Sequence, residues 1–191
     1  YVVRKGLERP ADAEIIERLG LPCFVKPNAG GSSFGVTKVK IEADLAPAIE
    51  KAMNESDEVM IEKLMVGTEI TCGCYKRKDG EVVTFPITEV VTTQEFFDYD
   101  AKYNGQVEEI TPARISDRLT QRVQTLTSTI YDILGCYGII RIDYIITEGE
   151  KINLLEINTT PGMTATSFIP QQIRAAGLDI KDVMTEIIEG R

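Results

Sequence analysis

Residues 138–168 constrain the fold more than any other part of the chain. They contain two isoleucine-rich runs, at residues 139–147 and 152–157, which are joined by the polar segment Glu148-Gly149-Glu150. Two apolar runs separated by such a short segment predict an antiparallel β-hairpin.

Polar side chains interrupt both strands of this hairpin. Because side chains alternate between the two faces of a strand, Arg141 and Asp143 share a face of the first strand. Glu156 and Asn158 share a face of the second strand in the same way. A buried carboxylate is costly unless a cation pairs with it, and Mg²⁺ takes carboxylate and amide oxygens together with substrate phosphates. At this point the alternative is an ion pair of Arg141 with Asp143 or Glu156, with the other polar residues on a solvated face.

The composition excludes several classes of function for this chain. Its 191 residues allow one domain or two small lobes, and a net charge of −9 argues against nucleic acid or an acidic membrane surface as main partner. The absence of histidine excludes Ser-His and Cys-His catalysis and HExxH zinc sites. We expect a cytoplasmic protein with free, buried thiols at its cysteines, which are Cys23, Cys72, Cys74 and Cys136.

A loop of small residues, 27–35, follows a strand predicted at residues 22–26. Backbone N–H groups and hydroxyls of such a loop can approach a phosphate closely, and Lys26 directly before it supplies positive charge. It is not a Walker A loop, because neither a GK[ST] sequence nor a helix follows. The alternative is the tip of a mobile hairpin.

The remaining elements are predicted from periodicity and turn residues. Helices are expected at residues 11–19, 44–54, 116–134, 168–176 and after Asp179, with Ser116, Ser167 and Asp179 as N-caps. Strands are expected at residues 36–40, 59–63, 68–75, 81–85 and 87–91. Glu62, at the end of one strand, either accepts a hydrogen bond from an amine such as that of adenine or lies in solvent. Residues 92–114 have no clean period but include four aromatic residues near their centre, which favours a lid over a site.

The order of five segments is specific. They are the strand and small loop at 22–35, Ile-Glu-Lys-Leu with Gly-Thr-Glu at 61–69, Tyr-Asp-Ala-Lys-Tyr at 99–103, Arg-Ile-Asp at 141–143, and Leu-Glu-Ile-Asn-Thr-Thr-Pro-Gly-Met-Thr at 155–164. Over essentially the whole chain, this order resembles the D-alanine:D-alanine ligases of the ATP-grasp family. The resemblance implies an α+β ATP-grasp fold, in which two lobes with antiparallel sheets, residues 1–67 and 68–191, enclose an ATP cleft.

The resemblance also implies how ATP is bound. Lys26 would contact the phosphates, and the loop that closes over them would contribute Ser32 and Ser33. Glu69 would hold the ribose hydroxyls, and the adenine pocket would be lined by Glu62, Lys63 and Met65.

The catalytic and substrate-binding residues follow from the same resemblance. Two Mg²⁺ (or Mn²⁺) ions would be held by Asp143, Glu156 and Asn158, with Glu156 bridging them. Arg141 and the Gly162 N–H would stabilise the tetrahedral oxyanion. The carboxylate of the second substrate would be bound at Ser167 and Phe168, and the lid would bring Lys102 and Tyr103 onto the substrate and Ser32.

The implied reaction joins two D-alanines to D-alanyl-D-alanine for peptidoglycan synthesis, through an acyl phosphate made with ATP. The family pattern includes an N-terminal domain with a substrate-orienting glutamate and a further phosphate-binding lysine, and neither is in this chain. We therefore expect the chain to contain the central and C-terminal parts of a ligase. By itself the chain is expected to be inactive. The family forms homodimers largely through that N-terminal domain. A monomer is therefore the alternative for the chain by itself.

One residue of the lid departs from the family pattern. Phe97 stands where a tyrosine is expected, so a hydrogen bond from that position is in doubt.

Two other functions are alternatives to the ligation of two D-alanines. A D-alanine:D-lactate or D-alanine:D-serine ligase is the first alternative, although the D-lactate enzymes typically lack the Lys-Tyr pair found at Lys102 and Tyr103. A nucleotide-binding module without catalysis is the second.

Overall fold

A computed structural model describes residues 1–30, 34–92 and 107–190, and the chain divides into two compact units. The first unit contains residues 1–30 and 34–65 of the described ranges, and the second contains residues 66–92 and 107–190. The lobes proposed from the sequence, 1–67 and 68–191, remain a prediction about domain organisation.

The first unit is an antiparallel sheet with two helices. Its strands have the spatial order β1-β4-β2-β3 and are β1 (Val2–Arg4), β2 (Cys23–Pro27), β3 (Thr37–Val39) and β4 (Glu58–Lys63). Its helices are α1 (Asp12–Leu19) and α2 (Leu45–Met53). Alternate residues of β2 and β4, such as Val25 and Ile61, are buried with Ile15 of α1 and Leu45 of α2. The helices and strands predicted here are present with ends shifted by one residue.

The second unit is built on a larger antiparallel sheet. In chain order its strands are β5 (Thr68–Lys76), β6 (Val82–Thr84), β7 (Thr88–Thr92), β8 (Val107–Ile110), β9 (Ile140–Thr147) and β10 (Lys151–Asn158). The spatial order is β10-β9-β5-β7-β8, with β6 paired to β5. The helices are α3 (Asp117–Ile133), α4 (Phe168–Ala175) and α5 (Ile180–Glu189). Within the described ranges, no helix combines the length and apolar character that a membrane span requires.

One face of this second sheet is apolar and packs against α3. The residues it buries alternate along β5 and β9, and they are Ile70, Cys72, Cys74, Ile140, Ile142, Tyr144 and Ile146. Leu119 and Val123 of α3 complete this core. The Tyr144 hydroxyl forms a 2.8 Å hydrogen bond with Thr127 Oγ1, so its burial leaves no unpaired group.

Two of the three predicted side-chain caps are confirmed. Ser116 accepts a hydrogen bond from the backbone N–H of Leu119, and Asp179 accepts one from Lys181. The prediction for Ser167 is wrong, because this residue precedes α4 without a side-chain cap. Its hydroxyl lies 2.8 Å from Thr164 Oγ1 and accepts from the Thr164 N–H, so a local turn uses the group that a cap would need.

The prediction of an irregular segment over residues 92–114 is wrong at its C-terminal end. Residues Val107–Ile110 form β8, which continues the sheet beyond β7. The sequence Val-Glu-Glu-Ile does not alternate, so only its pairing with β7 identifies it as a strand. Arg114 then donates two side-chain hydrogen bonds to Glu89 of β7, at 2.8 and 2.9 Å. Residues 93–106, where the lid is predicted, lie outside the described residues.

Candidate functional site

The predicted hairpin is present as β9 and β10, and its register brings the predicted polar residues onto one face. Asp143 stands opposite Glu156, and Arg141 stands opposite Asn158. Directly opposed residues of an antiparallel pair share a face of the sheet. A β-bulge between Leu154 and Glu156 is necessary for this arrangement. Leu154 pairs with Tyr144, so an unbroken register would place Glu156 opposite a residue of the apolar face.

Arg141 is buried and forms an ion pair with Asp143, one of the alternatives that the sequence left open. Its Nε and Nη2 atoms donate to the two carboxylate oxygens at 2.9 and 2.8 Å. Glu156 Oε1 lies 3.8 Å from Nη2, and the guanidinium carbon lies 5.2 Å from the centre of the Phe168 ring. Burial opposes the positive charge, but the hydrogen bonds and charge of Asp143, followed by Glu156, outweigh it and raise the pKa of Arg141.

Glu69 of β5 lies on the same face and is affected by this charge cluster. Burial, and then the charges of Asp143 and Glu156, raise the pKa of Glu69 to about 7, although Arg141 acts in the opposite direction. Arg141 therefore does not neutralise all the negative charge on this face. The Thr71 hydroxyl, which opposes Asp143 on β9, is buried and has no hydrogen-bond partner within the described ranges.

These residues fit a hard divalent cation in their chemistry. Carboxylate and amide oxygens are the ligands that Mg²⁺ prefers, and at Glu69 the charges of Asp143 and Glu156 outweigh the opposing charge of Arg141. The ligands are not gathered around one point, and within the described ranges no three acidic or thiol side chains form a metal cluster. Both oxygens of Asp143 are bonded to Arg141, and Asn158 Oδ1 accepts from the Thr160 N–H at 3.0 Å. Metal binding would thus require Asp143 to share its oxygens.

The loop between β10 and α4 contains the predicted oxyanion and substrate residues. A Cβ atom at Gly162 would lie 2.9 Å from Ser167 Oγ, so a larger residue would have to displace that hydroxyl. Asn158, where the loop begins, opposes Arg141, and Phe168, where it ends, packs on Arg141. Both ends of the loop are therefore held beside the same guanidinium.

In the first unit, Lys26 and Glu62 form a close ion pair. The Nζ and Oε2 atoms are 2.5 Å apart, and both side chains are partly buried on the adjacent strands β2 and β4. Glu62 is therefore not simply a solvated strand end, and its contact with adenine stays a prediction. Lys63 is exposed and Met65 is half-buried. Ser32 and Ser33, like Lys102 and Tyr103, lie outside the described residues.

Gln172 is a buried polar residue that the sequence analysis did not identify. This residue of α4 is fully buried, and the hydrogen-bond partners of its side chain lie in β5 and β7. A usable signal was its place among Phe168, Ile169 and Ile173, which form the buried stripe of this helix. A glutamine in such a stripe indicates a specific buried hydrogen bond.

Comparison with known proteins identifies the family. The family model described as D-ala D-ala ligase C-terminus matches residues 3–189. D-alanine--D-alanine ligases of Bacteroides fragilis and Phocaeicola vulgatus are 73% and 74% identical to the chain over 190 residues. Each alignment covers 100% of this chain and 58% of the relative.

Solved structures agree with this result. The VanG D-Ala:D-Ser ligase from Enterococcus faecalis has a TM-score of 0.84 at 34% identity, covering 98% of this chain and 55% of that protein. The D-alanine--D-alanine ligase from Bacillus anthracis has a TM-score of 0.79 at 31% identity, covering 100% and 59%. The chain thus spans somewhat more than half the length of these relatives. The predicted fold class, an α+β ATP-grasp fold with antiparallel sheets, is confirmed. Because the family model matches nearly every residue, the chain belongs to the D-Ala-D-Ala ligase C-terminus family.

Proposed function

We propose that the full-length protein containing this chain is an ATP-dependent ligase that joins two D-alanine molecules into D-alanyl-D-alanine for peptidoglycan synthesis. The observation that carries the proposal is the convergence of Arg141, Asp143, Glu156 and Asn158 on one face of the β9-β10 hairpin. The names of relatives more than 70% identical support the choice of substrate.

The reaction needs a carboxylate to become an electrophile. The carboxylate of the first D-alanine attacks the γ-phosphorus of ATP, which gives an acyl phosphate and ADP. The amine of the second D-alanine then attacks the acyl carbon, phosphate leaves, and the amine loses a proton. Such chemistry depends on positioning and charge neutralisation rather than on a covalent protein intermediate.

Arg141 is the residue best suited to the charge that develops in the second step. Its guanidinium is planar, permanently charged and held in one orientation by Asp143 and Phe168. A fixed donor of this kind stabilises an oxyanion without having to reorganise during the reaction. Gly162, whose N–H is the second proposed donor, lies in the loop held beside Arg141 at both ends. Ser167 and Phe168 are the proposed binding residues for the carboxylate of the second substrate.

ATP and divalent metal complete the proposed site. In the second unit, Asp143, Glu156 and Asn158 would hold two Mg²⁺ or Mn²⁺ ions, and Glu69 would bind the ribose. When bound, these ions would neutralise the charge of the ATP phosphates. In the first unit, Lys26 is the proposed phosphate ligand, and its pairing with Glu62 supports this by holding the ammonium group in place. The proposed adenine-binding residues are Glu62, Lys63 and Met65.

The roles of Ser32, Ser33, Lys102 and Tyr103 remain predictions that follow from the resemblance. The first two belong to the phosphate loop and the last two to the lid. We further propose that the full-length protein is a cytoplasmic homodimer, which size-exclusion chromatography with light scattering would test.

Product formation with competing substrates tests the proposed function. Purified full-length protein receives ATP, Mg²⁺ and D-alanine, alone or with D-serine or D-lactate, and the products are identified by mass spectrometry. We expect D-alanyl-D-alanine, with one phosphate released per dipeptide. D-serine ligation is the second candidate, because a D-Ala:D-Ser ligase is among the structural relatives. Nucleotide binding without phosphate release under all conditions would contradict the proposal and favour a non-catalytic module.

The chain by itself is proposed to bind nucleotide weakly and to make no dipeptide. It spans 58% of its relatives' length, and the first D-alanine needs a partner that orients it. Misplacing a reactant by about 1 Å can cost ~10²-fold in rate. Phosphate release is measured for the isolated chain with ATP, Mg²⁺ and D-alanine, before and after addition of the remaining part of the protein. Turnover equal to that of the full-length protein would show that the chain is sufficient.

A further inference from the structure

We propose that Gln172 is a positioning residue of the ligase: its amide fixes α4 on the sheet so that Phe168 holds the Arg141 guanidinium in its working orientation. This inference rests on the proposed function and adds a residue that does not itself touch the substrates.

Both ends of the Gln172 amide are hydrogen-bonded to the sheet. Oε1 accepts from the backbone N–H of Gly73 at 2.9 Å. Nε2 donates to the Thr71 carbonyl oxygen and to Thr88 Oγ1, each at 3.0 Å. The side chain is 0% exposed, so losing any of these bonds would leave a buried polar group without a partner.

The amide occupies a gap in the strand pairing of β5. Pairing of β5 with β7 ends at Thr71, and pairing with β6 begins at Cys74. Gly73 N–H lies in this interval and Thr71 C=O lies at its edge, and both bond to Gln172. Gln172 therefore acts as a substitute for a strand neighbour, which fixes the position of α4 along and across β5.

Helix α4 also approaches β5 as closely as a glycine allows. A Cβ atom at Gly73 would lie 2.4 Å from Ile169 Cδ1 and 2.8 Å from Gln172 Oε1. Gly73 stands opposite Arg141 in the neighbouring strand. The point at which the helix is fixed is therefore next to the strand position that carries Arg141.

Phe168 connects Gln172 to Arg141. It precedes Gln172 by four residues, so both side chains lie on the same side of α4. Its ring lies 5.2 Å from the Arg141 guanidinium carbon and covers the guanidinium, while Asp143 bonds the nitrogens. If α4 rotates or moves away, Phe168 leaves this position and Arg141 gains freedom. A reacting group displaced by about 1 Å can lose ~10²-fold in rate.

The central test replaces Gln172 by methionine in the full-length protein. Gln172→Met keeps the length of the side chain and removes every hydrogen bond of the amide. We expect kcat for dipeptide formation, per folded molecule, to fall about 10- to 100-fold, with little change in the KM for ATP. Gln121→Met makes the same chemical change on the exposed side of α3 and should leave kcat unchanged. Wild-type kcat in Gln172→Met, or an equal loss in Gln121→Met, would overturn the inference.

A spectroscopic readout separates positioning from simple stability. The ¹⁵N-Hε resonance of Arg141, assigned by its absence in Arg141→Lys, reports both the bond to Asp143 and the ring of Phe168. We expect Gln172→Met and Phe168→Leu to move this resonance and Gln121→Met to leave it in place. An unmoved resonance in folded Gln172→Met would overturn the inference. If the wild type makes no dipeptide, the proposed function fails, and the resonance still tests the role of Gln172.

A milder variant covers the case in which Gln172→Met does not fold. Thr88→Val removes one of the acceptors of Gln172 and leaves the other two bonds in place. We expect the same pattern with a smaller decrease in kcat and a smaller shift of the Arg141 resonance. No change in either quantity in folded Thr88→Val would overturn the inference in that case.

Discussion

The two faces of the second sheet are built from the same strands but differ in what they contribute. On one face, alternate residues of β5 and β9 are apolar and fully buried against α3. On the other, the positions between them carry Glu69, Arg141 and Asp143, and β10 adds Glu156. Only Arg141 among these charged residues is positive, and burial, followed by the charges of Asp143 and Glu156, raises the pKa of Glu69.

This difference shows that one strand can contribute to stability through one face and to a charged site through the other. The apolar face stabilises the unit by removing hydrocarbon from water. The polar face holds like charges close together, which costs stability and favours cation binding. Substitutions on the two faces should therefore separate stability from activity.

The largest effect on activity is expected for Glu156→Gln in the full-length protein. The substitution keeps the shape of the side chain and removes a charge proposed to hold metal, so it should abolish dipeptide formation and weaken Mg-ATP binding. Because the side chain is 59% exposed, the free energy of unfolding should change by less than about 0.5 kcal/mol. Calorimetry and urea unfolding measure the two effects. Unchanged Mg-ATP affinity in both Glu156→Gln and Asp143→Asn would refute the metal assignment.

For Ile142→Ala on the apolar face we expect a loss of stability with little loss of activity. The side chain is fully buried, so its truncation should lower the free energy of unfolding by about 2–5 kcal/mol. Activity per folded molecule should change little at a temperature where the variant remains folded. Ile133→Ala, which truncates a side chain that is 76% exposed on α3, is the matched control. Equal unfolding midpoints in urea for the two variants would contradict the assignment of Ile142 to the core.

Arg141→Lys should affect catalysis more than binding. Lysine keeps the charge but loses the two-point contact with Asp143 and the planar contact with Phe168. Losing an oxyanion donor typically lowers kcat by ~10²- to 10³-fold, and the KM for ATP should change much less. Steady-state kinetics provide both values. A raised KM with an unchanged kcat would make Arg141 a structural ion-pair partner instead.

The smallest effect is a pH dependence of stability that arises from Glu69 in metal-free protein. Because burial and then Asp143 and Glu156 raise its folded-state pKa to about 7, the folded state binds this proton more strongly than the unfolded state. The contribution to stability is complete below the unfolded-state pKa, near 4.5, and is lost as the pH rises through about 7. The loss is at most about 3.5 kcal/mol, from ~1.4 kcal/mol per pKa unit over the rise from 4.5 to about 7.

Comparison with a neutral variant isolates this contribution. Glu69→Gln removes the titrating group, so the unfolding free energy of wild type relative to Glu69→Gln should fall between pH 4.5 and pH 8. Urea unfolding at several pH values gives this difference, and Glu148→Gln, at an exposed carboxylate of the same unit, is the control. Parallel pH profiles for wild type and Glu69→Gln would argue against a raised pKa.

The hairpin and its polar residues could be predicted from the sequence, but the pairing register of the two strands could not. Alternation places Arg141 with Asp143 and Glu156 with Asn158, because it depends only on local periodicity. The bulge decides whether both pairs share a face, and its sequence signal is the pair Leu154-Leu155, which breaks the alternation.

Contacts between distant residues could not be predicted in this way. The Lys26–Glu62 pair depends on β2 and β4 being neighbours in the sheet. Gln172 bonds to a backbone group 99 residues earlier, so no local pattern identifies its partner. The strand β8 was missed for the same reason, because its own residues carry no alternation.

The free thiols described above give each unit an intrinsic chemical label. Burial raises the pKa of Cys23 in the first unit and raises that of Cys72 in the second to about 12. Since the thiolate is the species that reacts with alkylating reagents, neither thiol should be modified until its own sheet opens. Cys136 is only partly buried and should react first, so its modification can be resolved from that of Cys72. Mass spectrometry of alkylation over time would then give the opening free energy of each unit separately, without any probe being added to the chain.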